Sequence, residues 1–270
     1  MAQAVANMMA RRAPGVDALS AAAKLWLAVT IVGQAVFLYY IVGFYGAPTL
    51  AGDFAAWNRQ PMLQRGYVAG DTVGNLAFAV HVMLAAVIVL AGTLQFFPQI
   101  RARALWLHRW NGRVFLTAAI AASLAGFYMV WFRGAATGGP IGAVSITLNA
   151  ALVLAFAGLA WRAALGRDIA SHQRWAMRAF MVTNGVFWLR LLFPGWILIT
   201  RAEPSALTFH VLSFASYLLP LAVLEIYLRT RDAGGVARLG AAALLAACTA
   251  YMCVGIFGFY MIFARGVMGA

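Results

Sequence analysis

Charge is scarce in this sequence. Asp, Glu, Lys and Arg make up 10% of its 270 residues, against 64% hydrophobic ones. A soluble domain carries roughly a quarter charged residues, so this chain cannot build an ordinary water-facing surface. Acids are scarcer still: seven Asp and Glu stand against 20 Lys and Arg, for a net charge of +13. In a soluble protein that excess would point to nucleic acid. Here the cations gather in short stretches between apolar runs, where they set membrane topology instead, and no nucleic-acid partner is expected. Cysteine is limited to Cys248 and Cys253. They share one apolar run without the CxxC spacing and off a common helical face, which argues against a disulfide or metal site and leaves them as packing residues. No GxSxG, HExxH or glycine-rich phosphate loop occurs, so the chemistries those motifs carry have no foothold.

What the sequence has in abundance is long apolar runs. A helical span needs roughly 20 predominantly apolar residues. Seven runs meet this test, near 24–46, 72–97, 105–132, 141–163, 170–199, 206–228 and 239–264. Turn chemistry separates them, at Gly46-Ala-Pro48, Pro98, Gly138-Gly139-Pro140, Gly166-Arg-Asp168, Pro204 and Gly234-Gly235. The expected fold is therefore all-α, a polytopic membrane helical bundle of about seven spans. One transmembrane domain covers 21–270, after a short cytoplasmic tail at 1–20. The first run exceeds a signal-peptide core and lacks a cleavage site, so it reads as a retained span. The longest connection is 47–71, where Phe54, Trp57 and Tyr67 are expected to lie along the membrane interface.

The cations orient the bundle. Arg11, Arg12 and Lys24, then Arg101, Arg103, Arg109 and Arg113, then Arg162, Arg167, Arg174 and Arg178, then Arg229, Arg231 and Arg238 fall on one side, fourteen in all. The other side holds five: Arg59, Arg65, Arg133, Arg201 and Arg265. Positive charge stays cytoplasmic, so the N-terminus is expected inside and the C-terminus outside.

Ionisable groups at depth are costly in a bilayer and are functional by default. The candidates are His81, Arg190, His210 and Glu225. At a rise of roughly 1.5 Å per residue, His81 lies about 15 Å in from Asp71, Arg190 about 16 Å from Arg201 and His210 about 10 Å from Glu203. Asn149 falls at a similar level. Four helices thus place polar groups in one layer of the outer half, and Arg190 is expected to face the bundle. Glu225 sits one turn before Arg229, a pair that can neutralise itself; a proton-carrying role is the alternative. On the cytoplasmic side the strings HRWNGR, from His108 to Arg113, and HQRWAMR, from His172 to Arg178, each join a histidine to arginines and a tryptophan. Positive-inside charge and an aromatic belt explain them structurally. Functionally, they offer two facing histidines with arginines for carboxylates or phosphates.

Two strings resemble a bacterial family of predicted membrane proteins with no assigned function. The first runs from His81 through Gly92, Gln95-Phe96, Pro98 and Arg101 to His108-Arg109 and Gly112-Arg113. The second is His172, Trp175-Ala176-Met177-Arg178 and then Arg190. The resemblance covers the second span through the sixth. More distantly, the arrangement resembles cytochrome b561-type bundles, which hold two haems with four histidines, and small histidine-bearing proteins that help assemble haem–copper oxidases.

Four histidines on four helices, two per membrane half, lead to the first functional expectation: electron transfer through haem b, with quinone as a possible partner. His81 and His210 would ligate an outer haem and His108 and His172 an inner one. Arg109, Arg113, Arg174 and Arg178 would hold inner propionates, and Arg190 would serve the outer site. The rival expectation is a non-enzymatic binding protein with an outer-half pocket for an anion, a lipid headgroup or a metal, or an accessory or assembly subunit of a respiratory complex. Both place the protein in the bacterial inner membrane, surrounded by lipid.

Overall fold

The computed structural model describes residues 17–59, 66–233, 235–265 and 267. Most of the expected tail, with Arg11 and Arg12, and Arg65 in the first connection lie outside these residues. The described residues are 86% helix, and no strand occurs among them.

The first span runs from α1 (Ala18–Ile41) through one π turn (Val42–Gly46) into α2 (Ala47–Ala51). A 3-10 turn (Phe54–Arg59) leads to the second span, α3 (Thr72–Leu94). The short helix α4 (Pro98–Arg103) precedes the third span, α5 (Leu105–Trp131), and the fourth is α6 (Gly139–Leu165). The fifth is split into α7 (Ile169–Thr183) and α8 (Gly185–Thr200). The sixth is α9 (Ala206–Thr230) and the seventh α10 (Gly235–Phe259), closed by a π turn (Tyr260–Ala264).

Among the described residues six helices are each long and apolar enough to cross a membrane, and α7 with α8 meets the same test as a pair bent by 51°, which makes up to seven spans. Only 28–39% of each single span's most apolar window is buried inside the protein. The remaining apolar surface, including Leu25, Val32, Leu76, Leu124 and Val211, meets lipid.

Short polar residues start the spans. The Asp71 carboxylate accepts from the Gly74 amide at 2.9 Å, Asp168 from Ser171 at 3.0 Å, and the Ser205 hydroxyl from Thr208 at 3.2 Å. Each satisfies an amide that the first turn leaves without a partner. The Ser171 backbone and side-chain hydrogen bonds hold the Asp168 carboxyl below its ordinary range. Asp17 is joined instead to Arg238, which ties the start of the first span to that of the seventh.

The unbroken fifth helix expected over 170–199 is corrected by the break at Asn184. There the backbone leaves helical geometry (φ −87°, ψ 19°). The Asn184 side chain donates to its own Phe180 carbonyl at 2.8 Å and accepts from Gln34 of the first span at 2.8 Å. Such an amide competes with the helix ladder. The adjacent Gly185 lets Asn149 of α6 press against the backbone, where a Cβ would stand 2.7 Å from its amide nitrogen.

This bend shapes the molecule. The spans form a ring in the order first, second, third, fourth, fifth, seventh and back to first, with the sixth packed against the fourth, fifth and seventh. On one side of the break, α7 packs along α6; on the other, α8 leans onto α10. Fourth and fifth spans therefore part in one half of the bundle, and a cavity of about 370 Å³ lies there. That half faces the ends carrying Arg59, Arg133 and Arg201, here the sparse face; the opposite, arginine-rich end is the basic face.

The first connection folds inward more than expected. Trp57 is buried against Phe78, with ring centroids 5.1 Å apart, and its indole donates to the Thr49 hydroxyl at 3.2 Å. Of the three aromatic residues Phe54, Trp57 and Tyr67, Phe54 at the edge of this cluster is exposed and Tyr67 is half-buried.

Candidate functional site

The cavity is lined mainly by apolar side chains of the first six spans, including Phe37, Phe78, Ile88, Met129, Val153 and Phe193. Into this wall are set His81 from α3, Asn149 from α6, Thr183, Asn184 and Arg190 from the fifth span, and Ser213, Ser216 and Tyr217 from α9. All seven acids of the chain lie in described residues, and none lines the cavity.

Arg190 is the one charged residue among the lining residues. Its guanidinium carbon lies 5.5 Å from the ring centroids of both Phe37 and Tyr40. Tyr45 lies within electrostatic reach of Arg190 and Tyr40, and its ring stacks edge-on against Tyr40 at 5.9 Å. Among the described residues Arg190 forms no ion pair. Aromatic faces and a phenol hold the cation in place, but nothing in the wall neutralises it.

His81 is fixed by its neighbour. Its Nδ1 lies 2.8 Å from the Ala122 carbonyl oxygen on α5. A carbonyl only accepts, so Nδ1 carries the proton and Nε2 is left as the ring's second site. The ring packs on Gly126, where a Cβ would stand 3.2 Å from Cε1. The amide oxygen of Asn149 and the hydroxyl of Thr183 have no partner among the described residues. Each wall of the site thus holds a polar group whose bonding capacity the protein does not fill.

The four histidines do not converge. His210 is absent from the cavity wall; its ring sits beside Gly138, the positive-φ residue (84°) before α6, and its Nδ1 has no partner. His108 and His172 belong to the basic half. His172 Nδ1 is 2.9 Å from the Ala160 carbonyl of α6. His108 lies within electrostatic reach of His172, and its Nδ1 is buried without a partner. No group of three or more His, Cys, Asp or Glu stands together among the described residues.

The arginines of the basic half are distributed differently from a cradle. Arg178 is bound bidentately by Glu225, at 2.6 and 3.0 Å, and stacks on Trp175 at 4.7 Å. Glu225 therefore pairs across helices, with Arg178, and not with Arg229 one turn away. Arg113 stacks on Trp110 at 4.9 Å, and Arg109, Arg113 and Arg174 are exposed. The strings that carried the family resemblance read here as joints. Gln95 donates to the His108 carbonyl at 3.1 Å, Asn111 donates to the Ala91 carbonyl at 2.7 Å, and Gly112 lets Gln95 approach. Together they lock α3 to α5. His172 locks α7 to α6, and Arg178 locks α7 to α9.

Two features escaped sequence reasoning. One is the aromatic seat of Arg190, since Phe37, Tyr40 and Tyr45 look like ordinary belt residues in a run of hydrophobics. The other is the break at Asn184-Gly185, a dipeptide with turn chemistry in the middle of an apolar run. Arg133, read only as a topology charge, is buried; it binds Asp71 at 2.7 Å, Asn75 at 2.7 Å and the Gly66 carbonyl at 3.1 Å. It fastens the end of the first connection and the start of α3 to the end of α5.

Comparison with known proteins finds one relation. Residues 78–228 match the sequence profile of a family described as predicted membrane protein (DUF2306). No curated protein and no solved structure matches. The matched segment spans α3 through most of α9, holds all four histidines together with Arg190 and Glu225, and covers more than half of the chain. The chain belongs to this uncharacterised family of predicted multi-pass membrane proteins.

Proposed function

We propose that this protein binds an amphiphile in the cavity of its sparse half, with Arg190 anchoring an anionic or strongly polar head and the aromatic and aliphatic wall holding an apolar body. The observation that carries this reading is Arg190 itself. A guanidinium far from either face, without an acid anywhere on the cavity, is costly in a bundle surrounded by hydrocarbon. An anion delivered by a ligand removes that cost, and a planar guanidinium suits a carboxylate or phosphate. A cavity of about 370 Å³ with few polar groups in an apolar wall is of the size and character that small ligands use.

On this reading the protein is a binding or accessory component of a bacterial inner membrane, with the basic face cytoplasmic and the N-terminus inside. The fourteen-to-five division of cations supports that placement. A haem held by His81 and His210 needs both imidazoles on one cavity, and only His81 lines this one. In the basic half, Arg178 is already engaged by Glu225. The donor set does not fit a pair of bis-histidine haems, and no electron-transfer step is built on them.

The test is extraction. Wild-type protein and Arg190→Ala are purified from native membranes in mild detergent, matched for thermal unfolding, and their bound lipids and quinones are analysed by mass spectrometry. Wild type is expected to retain an amphiphile that Arg190→Ala lacks, with no Soret absorbance in either. Identical extracts from both proteins would sink the reading, and a strong Soret band lost with His81 would restore the haem.

A further inference from the structure

We infer that the head group recognised in this cavity carries a hydroxyl donor beside the oxygen acceptor that Arg190 engages. This rests on the binding reading above and narrows it to a ligand class.

The inference comes from the His81 tautomer. Ala122 accepts a hydrogen bond from Nδ1, and that assigns the ring proton to Nδ1. With Arg190 on the same cavity and no acid lining it, a second cation at His81 would be buried beside the first without compensation. The imidazole is therefore neutral, and its Nε2, which makes no hydrogen bond among the described residues, is left as an acceptor. The Asn149 amide oxygen, also without a partner, adds a second acceptor on the facing wall. The site thus has one strong donor, Arg190, and acceptors at two other points. An oxidised quinone or a phosphate diester with alkyl substituents offers only acceptors, so it would satisfy Arg190 and leave His81 unmet. A polyol phosphate head or a quinol offers both kinds of group. Leaving a buried acceptor unmet is penalised more than forming one extra hydrogen bond is rewarded, so the site discriminates by the hydroxyl.

Two probe pairs read this directly, using full-length protein in detergent and native mass spectrometry or thermal shift. The first pair is phosphatidylglycerol and phosphatidylmethanol with identical acyl chains, which share one negative charge and differ in the hydroxyls. The second is decylubiquinol, kept reduced, and decylubiquinone. Wild type is expected to prefer the hydroxylated member of one pair by roughly three- to tenfold, the range one hydrogen bond gives. The responding pair identifies the source, a glycerol phosphate lipid or a quinol. The preference should vanish in His81→Phe and persist in His81→Gln, whose amide still offers an acceptor. If His81→Phe does not fold, a loss of preference in Asn149→Leu carries the same test from the facing wall. Equal binding within both pairs overturns the inference, as does a preference that survives His81→Phe, or no binding of any probe. Equal binding that still depends on Arg190 overturns the hydroxyl alone and leaves the anchoring role standing. Absence of all binding, with identical extracts from wild type and Arg190→Ala, overturns both.

Discussion

At the scale of residues, the site is decided by what each polar side chain lacks. Arg190 has aromatic neighbours and no counter-charge, so Arg190→Lys and Arg190→Ala should separate. The lysine keeps the charge but loses the planar fork, and should retain part of the bound amphiphile measured by extraction; alanine should retain none. Arg190→Ala is also expected to leave thermal unfolding in detergent unchanged or raised, because it removes an uncompensated buried charge. A marked loss of stability would mean that the cation–π contacts outweigh that cost. Gly126 offers a gentler probe of His81. Gly126→Val puts a branched side chain where a single Cβ already stands 3.2 Å from the ring. It should shift the imidazole and weaken ligand retention while Arg190 stays in place. Retention equal to wild type would separate His81 from the site.

At the scale of elements, helix contact and helix breakage carry the predictions. A Cβ on Gly255 would stand 2.5 Å from the Leu191 carbonyl oxygen, a backbone atom that cannot move aside. Gly255→Ala should therefore pry α10 from α8 and destabilise by about 1–3 kcal/mol, the usual range for overpacking. Gly158 on α6 has nothing within 4 Å, and Gly158→Ala should be neutral or stabilising by helix propensity. Thermal unfolding of the two variants side by side checks the contrast. The Arg178–Glu225 bridge, only partly exposed on either side chain, joins α7 to α9. Glu225→Gln should destabilise by roughly 1–3 kcal/mol, the range for an unmet or weakened charge-assisted bond. Adding Arg178→Gln should cost less than the sum, since the two residues share one interaction. At the start of α7, the Asp168 carboxyl titrates below its unfolded value. Its cap on Ser171 is therefore present above that unfolded value and lost as pH falls through the folded one. Faster hydrogen exchange at the Ser171 amide should appear only in acid; acceleration near neutral pH would contradict the sign.

At the scale of the whole molecule, the topology turns on the bent pair: if α7 and α8 cross as one span, the two termini are expected on opposite sides of the membrane. Alkaline phosphatase fused after residue 264 should be active, and fused within 166–168 should be inactive, if the basic face is cytoplasmic. The same result at both points would require an even number of spans between them and would make α7 and α8 a re-entrant pair. The distribution of polar contacts also gives the molecule two unlike halves. In the basic half, four polar contacts from the motif strings join helices: Gln95 with His108, Asn111 with Ala91, His172 with Ala160, Arg178 with Glu225. In the sparse half, His81, Asn149 and Arg190 surround a cavity and leave bonding capacity open.

Much of this was legible in the sequence. The span positions follow from run length, because each backbone polar group in hydrocarbon must be satisfied within its own helix, and α3, α5 and α9 begin within a residue of where the runs and turns place them. Depth was legible too, since a fixed rise per residue puts His81, Asn149 and Arg190 in one layer. Direction was not. Depth along a helix says nothing about which way a side chain points around it, and His210 shares the layer without sharing the cavity. The break at Asn184 was hidden for a related reason: α7 and α8 together are as apolar as an unbroken span, and only the bond from Gln34, 150 residues away in the chain, shows how the amide is held out of the helical ladder. Composition and periodicity determined that the chain is a helical bundle of six or seven candidate spans with a charge-marked face. Tertiary packing alone decided that a bent fifth span opens a chamber, and that an arginine without an acid lines it.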